Sequence, residues 1–178
     1  MYNGNMRINS FEPIVSPSSH TLILGSIPGV ASLRAHEYYA HPRNAFWPIL
    51  YAVWLPPKTV GSLKNPSTTN LGLPPYKERL RFLISKNLAL WDVVATCTRE
   101  GSLDSAVHDE EIQAFDTFFA AYPNISKILF NGRKAYDLFS QHHGFTVNMI
   151  YHLMPSTSPA HAGMTFDEKL AVWQEALL

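Results

Sequence analysis

Tyr39, Asn44, Phe46, Asp92, Asn131 and Ser156 bring aromatic faces, amides, a carboxylate and a hydroxyl to segments that each follow a short apolar run. The densest of these segments is Leu22 to Trp47. Its apolar run stops at Gly25-Ser26-Ile27-Pro28-Gly29, where two glycines and a proline force a tight turn and leave backbone N–H groups to face a ligand. Adjacent tyrosines, Tyr38 and Tyr39, and the sequence His41-Pro42-Arg43-Asn44-Ala45-Phe46-Trp47 come next. Polar and aromatic side chains packed this closely after a strand end suggest the rim of a pocket. In open α/β sheets ligands sit at the carboxyl ends of strands, so the position agrees.

The elements that must position these residues alternate. Apolar runs predict strands over His20 to Gly25, Leu88 to Val94, Ile125 to Phe130 and Thr146 to Leu153. Helical spacing is expected over 44–54, with Pro48 tolerated in the first turn, and over 75–86, 109–122 and 133–141. Ile112, Phe115, Phe118 and Phe119 would share one face of the third of these. A last helix starts at Thr165, which with Glu168 makes a capping box, and buries Leu170, Trp173 and Leu177. Strands alternating with helices imply an α/β fold with a four-stranded, mainly parallel sheet. Residues 1–17 read as a loosely held leader, Leu55 to Pro75 as a proline-rich surface loop, and Thr96 to Val107 as irregular. The four strands would carry the segments after Leu24, Leu90, Phe130 and Leu153 to one edge.

The chain of 178 residues fits one domain, residues 1–178. Its hydrophobic content of 46% against 16% charged residues argues for a folded globule. Lys+Arg and Asp+Glu are both 14, so the whole protein exerts no net pull on nucleic acid, and any such contact needs a local basic rim. Arg34, His36, Arg43, Arg133, Lys134 and His161 are the candidates. The one cysteine, Cys97, excludes an internal disulfide. The eight histidines show no metal-ligand spacing, and no run of about 18 apolar residues appears. A cytoplasmic protein without metal or membrane segment is expected.

Gly25 to Gly29, Ser32-Leu33 and the Tyr38 to Trp47 segment resemble the first motif of the uracil-DNA glycosylase superfamily, most closely its hypoxanthine-DNA glycosylase branch. The resemblance continues through Leu90-Trp91-Asp92-Val93, Arg99 to Ser105, Phe130-Asn131-Gly132 and Met154 to Ala160. It implies a three-layer αβα fold and a monofunctional DNA glycosylase that flips a deaminated base, hypoxanthine with uracil or xanthine behind it, and hydrolyses its N-glycosidic bond. It implies DNA as the partner and no cofactor, and a monomer is expected. Asn44 matches the catalytic position of the hypoxanthine branch. Gly25, Ser26, Ile27, Tyr39, Phe46, Trp91 and Asn131 would hold the base. Arg43, Ser156, Thr157, Ser158 and His161 would hold DNA.

Two positions depart from the uracil-specific pattern. Ile27 stands where an acid or amide positions water, and Met154 stands where a histidine stabilises the leaving uracil. His152, two residues back on the strand, would share the face of Met154 and is a candidate substitute. Plainer roles compete at several sites: Asn44 as a helix cap, Asn131 as a turn residue, Trp91 and Phe46 as core, Asp92 as a buried capping carboxylate. Two other functions fit parts of the sequence. One is a serine hydrolase using Ser26 with His161, although Gly-x-Ser-x-Gly is absent. The other is a non-catalytic protein that binds damaged DNA.

Overall fold

A computed structural model describes residues 6–55, 72–99 and 107–178. Buried apolar runs form the strands β2 (Thr21–Gly25), β3 (Leu88–Asp92), β6 (Lys127–Asn131) and β7 (Ile150–Met154). They pair in parallel in the order β3-β2-β6-β7. Registers align their carboxyl ends: Gly25 lies opposite Asp92, and Asn131 opposite Met154. β2 and β3 are buried along their whole length because both faces of the sheet are covered.

Alternation along the strands divides the core. Leu22, Leu24, Ala89, Trp91, Ile128 and Phe130 pack with α4 (Phe115–Ala121) and α5 (Arg133–His142). Ile23, Leu88, Leu90 and Leu129 pack on the other face with α2 (Phe46–Trp54), α3 (Tyr76–Ser85) and α6 (Phe166–Leu177). A short helix, α1 (Val30–Ala35), follows the first turn. The expected three-layer α/β architecture is therefore present.

Several local expectations are corrected. Residues 6–17 of the leader are held down, because β1 (Met6–Asn9) pairs antiparallel with β4 (Val94–Arg99), and Ile14 exchanges both backbone hydrogen bonds with Leu90 on the outer edge of β3. Residues 109–112 belong to a strand, β5 (Val107–Ile112), antiparallel to β4, so the predicted helix over 109–122 shrinks to α4. Polar cross-strand partners decide this: Glu111 accepts from both Arg7 and Thr96, a pairing the local sequence cannot display. Residues 146–149 form a turn before β7, with the Thr146 N–H donating to the Tyr151 hydroxyl at 3.0 Å. Most of the proline-rich stretch, 56–71, lies outside the described residues, as do 1–5 and 100–106.

The capping box at α6 is as read: Thr165 accepts from the Glu168 N–H at 3.3 Å and Glu168 accepts from the Thr165 N–H at 2.7 Å. Thr165→Ala should lower stability by about 1 kcal/mol in a urea titration, with Thr165→Ser recovering most of it. Equal midpoints for Thr165→Ala and the unsubstituted protein would count against the cap.

Candidate active site

Five segments leave the carboxyl edge of the parallel sheet and enclose one crevice of about 510 Å³, within the usual range for small-ligand sites. They are Gly25 to Ser32 after β2, the Tyr38 to Asn44 loop, Asp92 at the end of β3, Asn131 to Lys134 where β6 meets α5, and Ser156 to His161 after β7.

The floor depends on Gly25. A Cβ there would lie 2.4 Å from Asp92 Oδ1 and 3.1 Å from the Tyr39 hydroxyl, so the missing side chain makes room for both groups. Asp92 is 3% exposed, and its Oδ2 accepts from the Ser10 hydroxyl at 2.8 Å. Tyr39 adopts a left-handed backbone with φ 56°, an uncommon conformation for a bulky residue that the surrounding structure must enforce. The neighbouring residue is fixed from two helices: the Trp47 indole N–H donates to the Tyr38 carbonyl at 2.9 Å, and the Tyr38 N–H donates to the Tyr76 hydroxyl at 3.0 Å. Burial, and after it the charge of Asp92, push the Tyr38 hydroxyl above the ordinary phenol range; it donates to the Glu12 carbonyl at 3.3 Å. The Tyr39 ring stacks on Phe46, with centroids 4.1 Å apart at 27°.

Asn44 lines the crevice and is not the N-cap of α2, a position held by Ala45. Its Oδ1 accepts from the Phe46 N–H at 3.0 Å at the start of α2, which fixes the amide and leaves the second lone pair of that oxygen. The next residue ties two segments together, since the Ala45 N–H donates to the Thr157 carbonyl at 3.0 Å.

Across the crevice, Asn131 and Thr157 exchange two hydrogen bonds, Nδ2 to Oγ1 and backbone N–H to Oδ1, each 2.9 Å. Gly132, with φ 102°, passes so close to the following loop that a Cβ would meet Ser156 Cβ at 3.0 Å. That loop is folded by its own hydroxyls: Ser156 Oγ accepts from the Ser158 N–H and Ser158 Oγ from the Ala160 N–H, both at 3.2 Å. From behind, α6 pins it, with the Trp173 indole donating to the Pro155 carbonyl at 3.1 Å and Lys169 Nζ to the His161 carbonyl at 2.8 Å. Burial lowers the Lys169 ammonium below the ordinary lysine range.

The crevice gathers Gly25, Ser26, Ile27, Tyr39, Asn44, Asn131, Ser156, Thr157, Ser158 and His161. Phe46 and Trp91 are not at its surface. Phe46 is 1% exposed and backs Tyr39, while Trp91 packs on Phe115 and Phe118 and donates its indole N–H to the Phe11 carbonyl at 3.1 Å. Thr157 is 1% exposed and its hydroxyl oxygen accepts from Asn131, so it supports that amide from beneath the lining. Arg43 is exposed beyond the lining, as are Arg34 and His36, whereas Arg133, Lys134 and His161 of the expected basic rim do line it. Lys134 pairs with Glu110 at 3.3 Å. His152 is exposed and outside the lining, so it does not replace the histidine absent at Met154, itself 2% exposed. Val30 and Ala31 of α1 join the lining beside the motif residue Ser32, and the helix itself is too short, at six residues, to give a periodic signal in the sequence. Ser102, Asp104 and Ser105 lie outside the described residues. Among the described residues no group of three or more His, Cys, Asp or Glu could hold a metal ion, and no helix is long and apolar enough to cross a membrane.

A family model described as the uracil DNA glycosylase superfamily matches residues 12–177. A hypoxanthine DNA glycosylase of Methanosarcina barkeri (strain Fusaro / DSM 804) is 36% identical over 130 residues, covering 73% of this chain and 74% of that protein. One from Methanosarcina acetivorans is 34% identical over 125 residues, covering 70% and 71%. The solution NMR structure of a Methanosarcina acetivorans protein provisionally named a uracil DNA glycosylase superposes with a TM-score of 0.69 at 31% identity, covering 96% of this chain and 99% of the other.

Thr157→Val removes the hydroxyl that accepts from Asn131 and strands a part-buried donor. It should cost about 1–3 kcal/mol in chemical denaturation. A variant as stable as the original would show that the Asn131–Thr157 pair does not hold the two segments together.

Proposed function

Because this chain belongs to the uracil DNA glycosylase superfamily, we propose that its crevice receives a deaminated base flipped from DNA, hypoxanthine ahead of uracil or xanthine, and hydrolyses the N-glycosidic bond, opening base excision repair. The match over residues 12–177 supports a single glycosylase domain. The curated relatives named hypoxanthine DNA glycosylases favour hypoxanthine as the first substrate. The observation that carries the reading is the convergence of Tyr39, Asn44 and Asn131 on one crevice at the carboxyl edge of the sheet.

In this reading Tyr39, braced by Phe46, supplies the face on which the extruded base stacks, at a site already rigid before DNA arrives. Asn131 presents one remaining donor and one remaining acceptor after its exchange with Thr157. The Ser26 to Gly29 turn contributes backbone amides toward a base carbonyl or a phosphate. Asn44, oriented by the Phe46 N–H, directs a water at the anomeric carbon through its remaining oxygen lone pair. An amide takes up no proton near neutral pH, so the rate comes from placement of the water and from stabilising charge as the bond breaks. Ile27 and Met154 offer neither a second water ligand nor an electrophile for a uracil anion, which supports a purine leaving group.

The rim is set for a backbone in which Arg133, Lys134 and His161, together with Ser156 and Ser158, meet phosphates. Their small number against a neutral whole-chain charge favours modest affinity that falls with salt.

Duplexes carrying one deoxyinosine, incubated with the protein and then treated with alkali, should break at that position. Asn44→Ala should slow base release by about 100-fold or more while duplex binding persists. Wild-type release by Asn44→Ala would remove Asn44 from the reaction, and no release by the unsubstituted protein would favour a binding function.

A further inference from the structure

We propose that Asp92 selects the deaminated base by accepting a hydrogen bond from the ring N–H that deamination creates. The inference rests on the glycosylase reading above. It starts from a chemical difference that adenine and cytosine share against their products. Adenine N1 and cytosine N3 carry a lone pair, whereas hypoxanthine N1 and uracil N3 carry a hydrogen. A group that accepts there and cannot donate would take the products and refuse the parents.

Among the described lining residues Asp92 is the one such side chain. Serine, threonine and tyrosine hydroxyls and histidine rings offer donors as well as acceptors and could turn toward either base, while the Asn44 and Asn131 amides, held by Phe46 and Thr157, each keep a donor beside the acceptor. Arg133 and Lys134 donate only. A carboxylate has no second orientation: it attracts the N–H of hypoxanthine and repels the lone pair of adenine.

Geometry makes that preference count. Asp92 ends β3 in register with Gly25, and its Oδ1 occupies the space over Gly25 that a side chain would fill. The Tyr39 hydroxyl approaches the same point, so the stacking ring and the carboxylate meet at one corner of the floor. At 3% exposure the carboxylate sits where water cannot satisfy a mismatched base, and a polar group left unpaired in such a place is costly. The Ser10 hydroxyl, donating to Oδ2 at 2.8 Å, fixes the carboxylate plane from the side of the N-terminal segment. Guanine keeps its N1–H, so Asp92 accounts for refusal of adenine and cytosine alone.

Binding separates this from catalysis. Duplexes carrying a hydrolysis-resistant 2′-fluoroarabino analogue of inosine or of adenosine, each opposite an abasic analogue so that pairing does not contribute, give two dissociation constants per protein. The unsubstituted protein should prefer the inosine duplex. Asp92→Asn, whose amide can turn, should narrow that preference by about 10- to 100-fold. Ser10→Ala should narrow it by a smaller factor, and it carries the test if Asp92→Asn does not fold. An unchanged preference, or equal loss of affinity for both duplexes, in a variant with a normal melting curve overturns the assignment. Failure of the unsubstituted protein to release hypoxanthine from deoxyinosine duplexes would overturn the glycosylase reading as well. Release that continues while Asp92→Asn keeps the full preference overturns the role of Asp92 alone.

Discussion

One missing methyl group sets the geometry of this site. Gly25 ends an inner strand of the parallel sheet with no side chain, and the space so vacated is taken by Asp92 from one neighbouring strand and by Tyr39 from the loop beyond. A Cβ would overlap Asp92 Oδ1 at 2.4 Å, far inside van der Waals contact, and backbone could not yield without disturbing the ladder between β2 and β3. The remaining features serve this corner. Phe46 backs the ring, Trp47 and Tyr76 hold the preceding residue, and Ser10 holds the carboxylate.

A second constraint closes the far wall. The paired hydrogen bonds between Asn131 and Thr157 join the end of β6 to the loop after β7, and the Ala45 N–H binds that same loop to the start of α2. Three segments distant in sequence thus share a small polar lattice. Because α6 fastens the loop through Trp173 and Lys169, the core on one side of the sheet and the crevice wall are mechanically one object. Order in the site is acquired on folding, which lowers the entropy that a ligand must surrender on arrival.

Much of this was legible because the signals are local. Buried strands announce themselves as continuous apolar runs, the Thr165–Glu168 box as a four-residue pattern, and the Gly25 to Gly29 turn by the conformations that glycine and proline allow. What stayed hidden depends on partners far along the chain. The strand over Val107–Ile112 is polar and unperiodic, and only β4 and Arg7 beside it make it a strand. Thr157 reads as one more hydroxyl of a loop until the register of β6 against β7 places it under Asn131. Phe46 and Trp91 illustrate the reverse: aromatic residues next to site motifs, whose side chains the alternation of strand and helix faces turns into the core.

The antiparallel arm of the fold gives the N-terminal segment a reach that its position in the chain conceals. β1 lies against β4, Ile14 is stitched to Leu90, and between them Ser10 touches a carboxylate on the crevice floor. Residues 6–14 therefore form a strap across the base of the pocket. Engineering that disturbs the segment around Ser10 would release one hold on the Asp92 carboxylate at the pocket floor while leaving the pairing of the parallel sheet untouched.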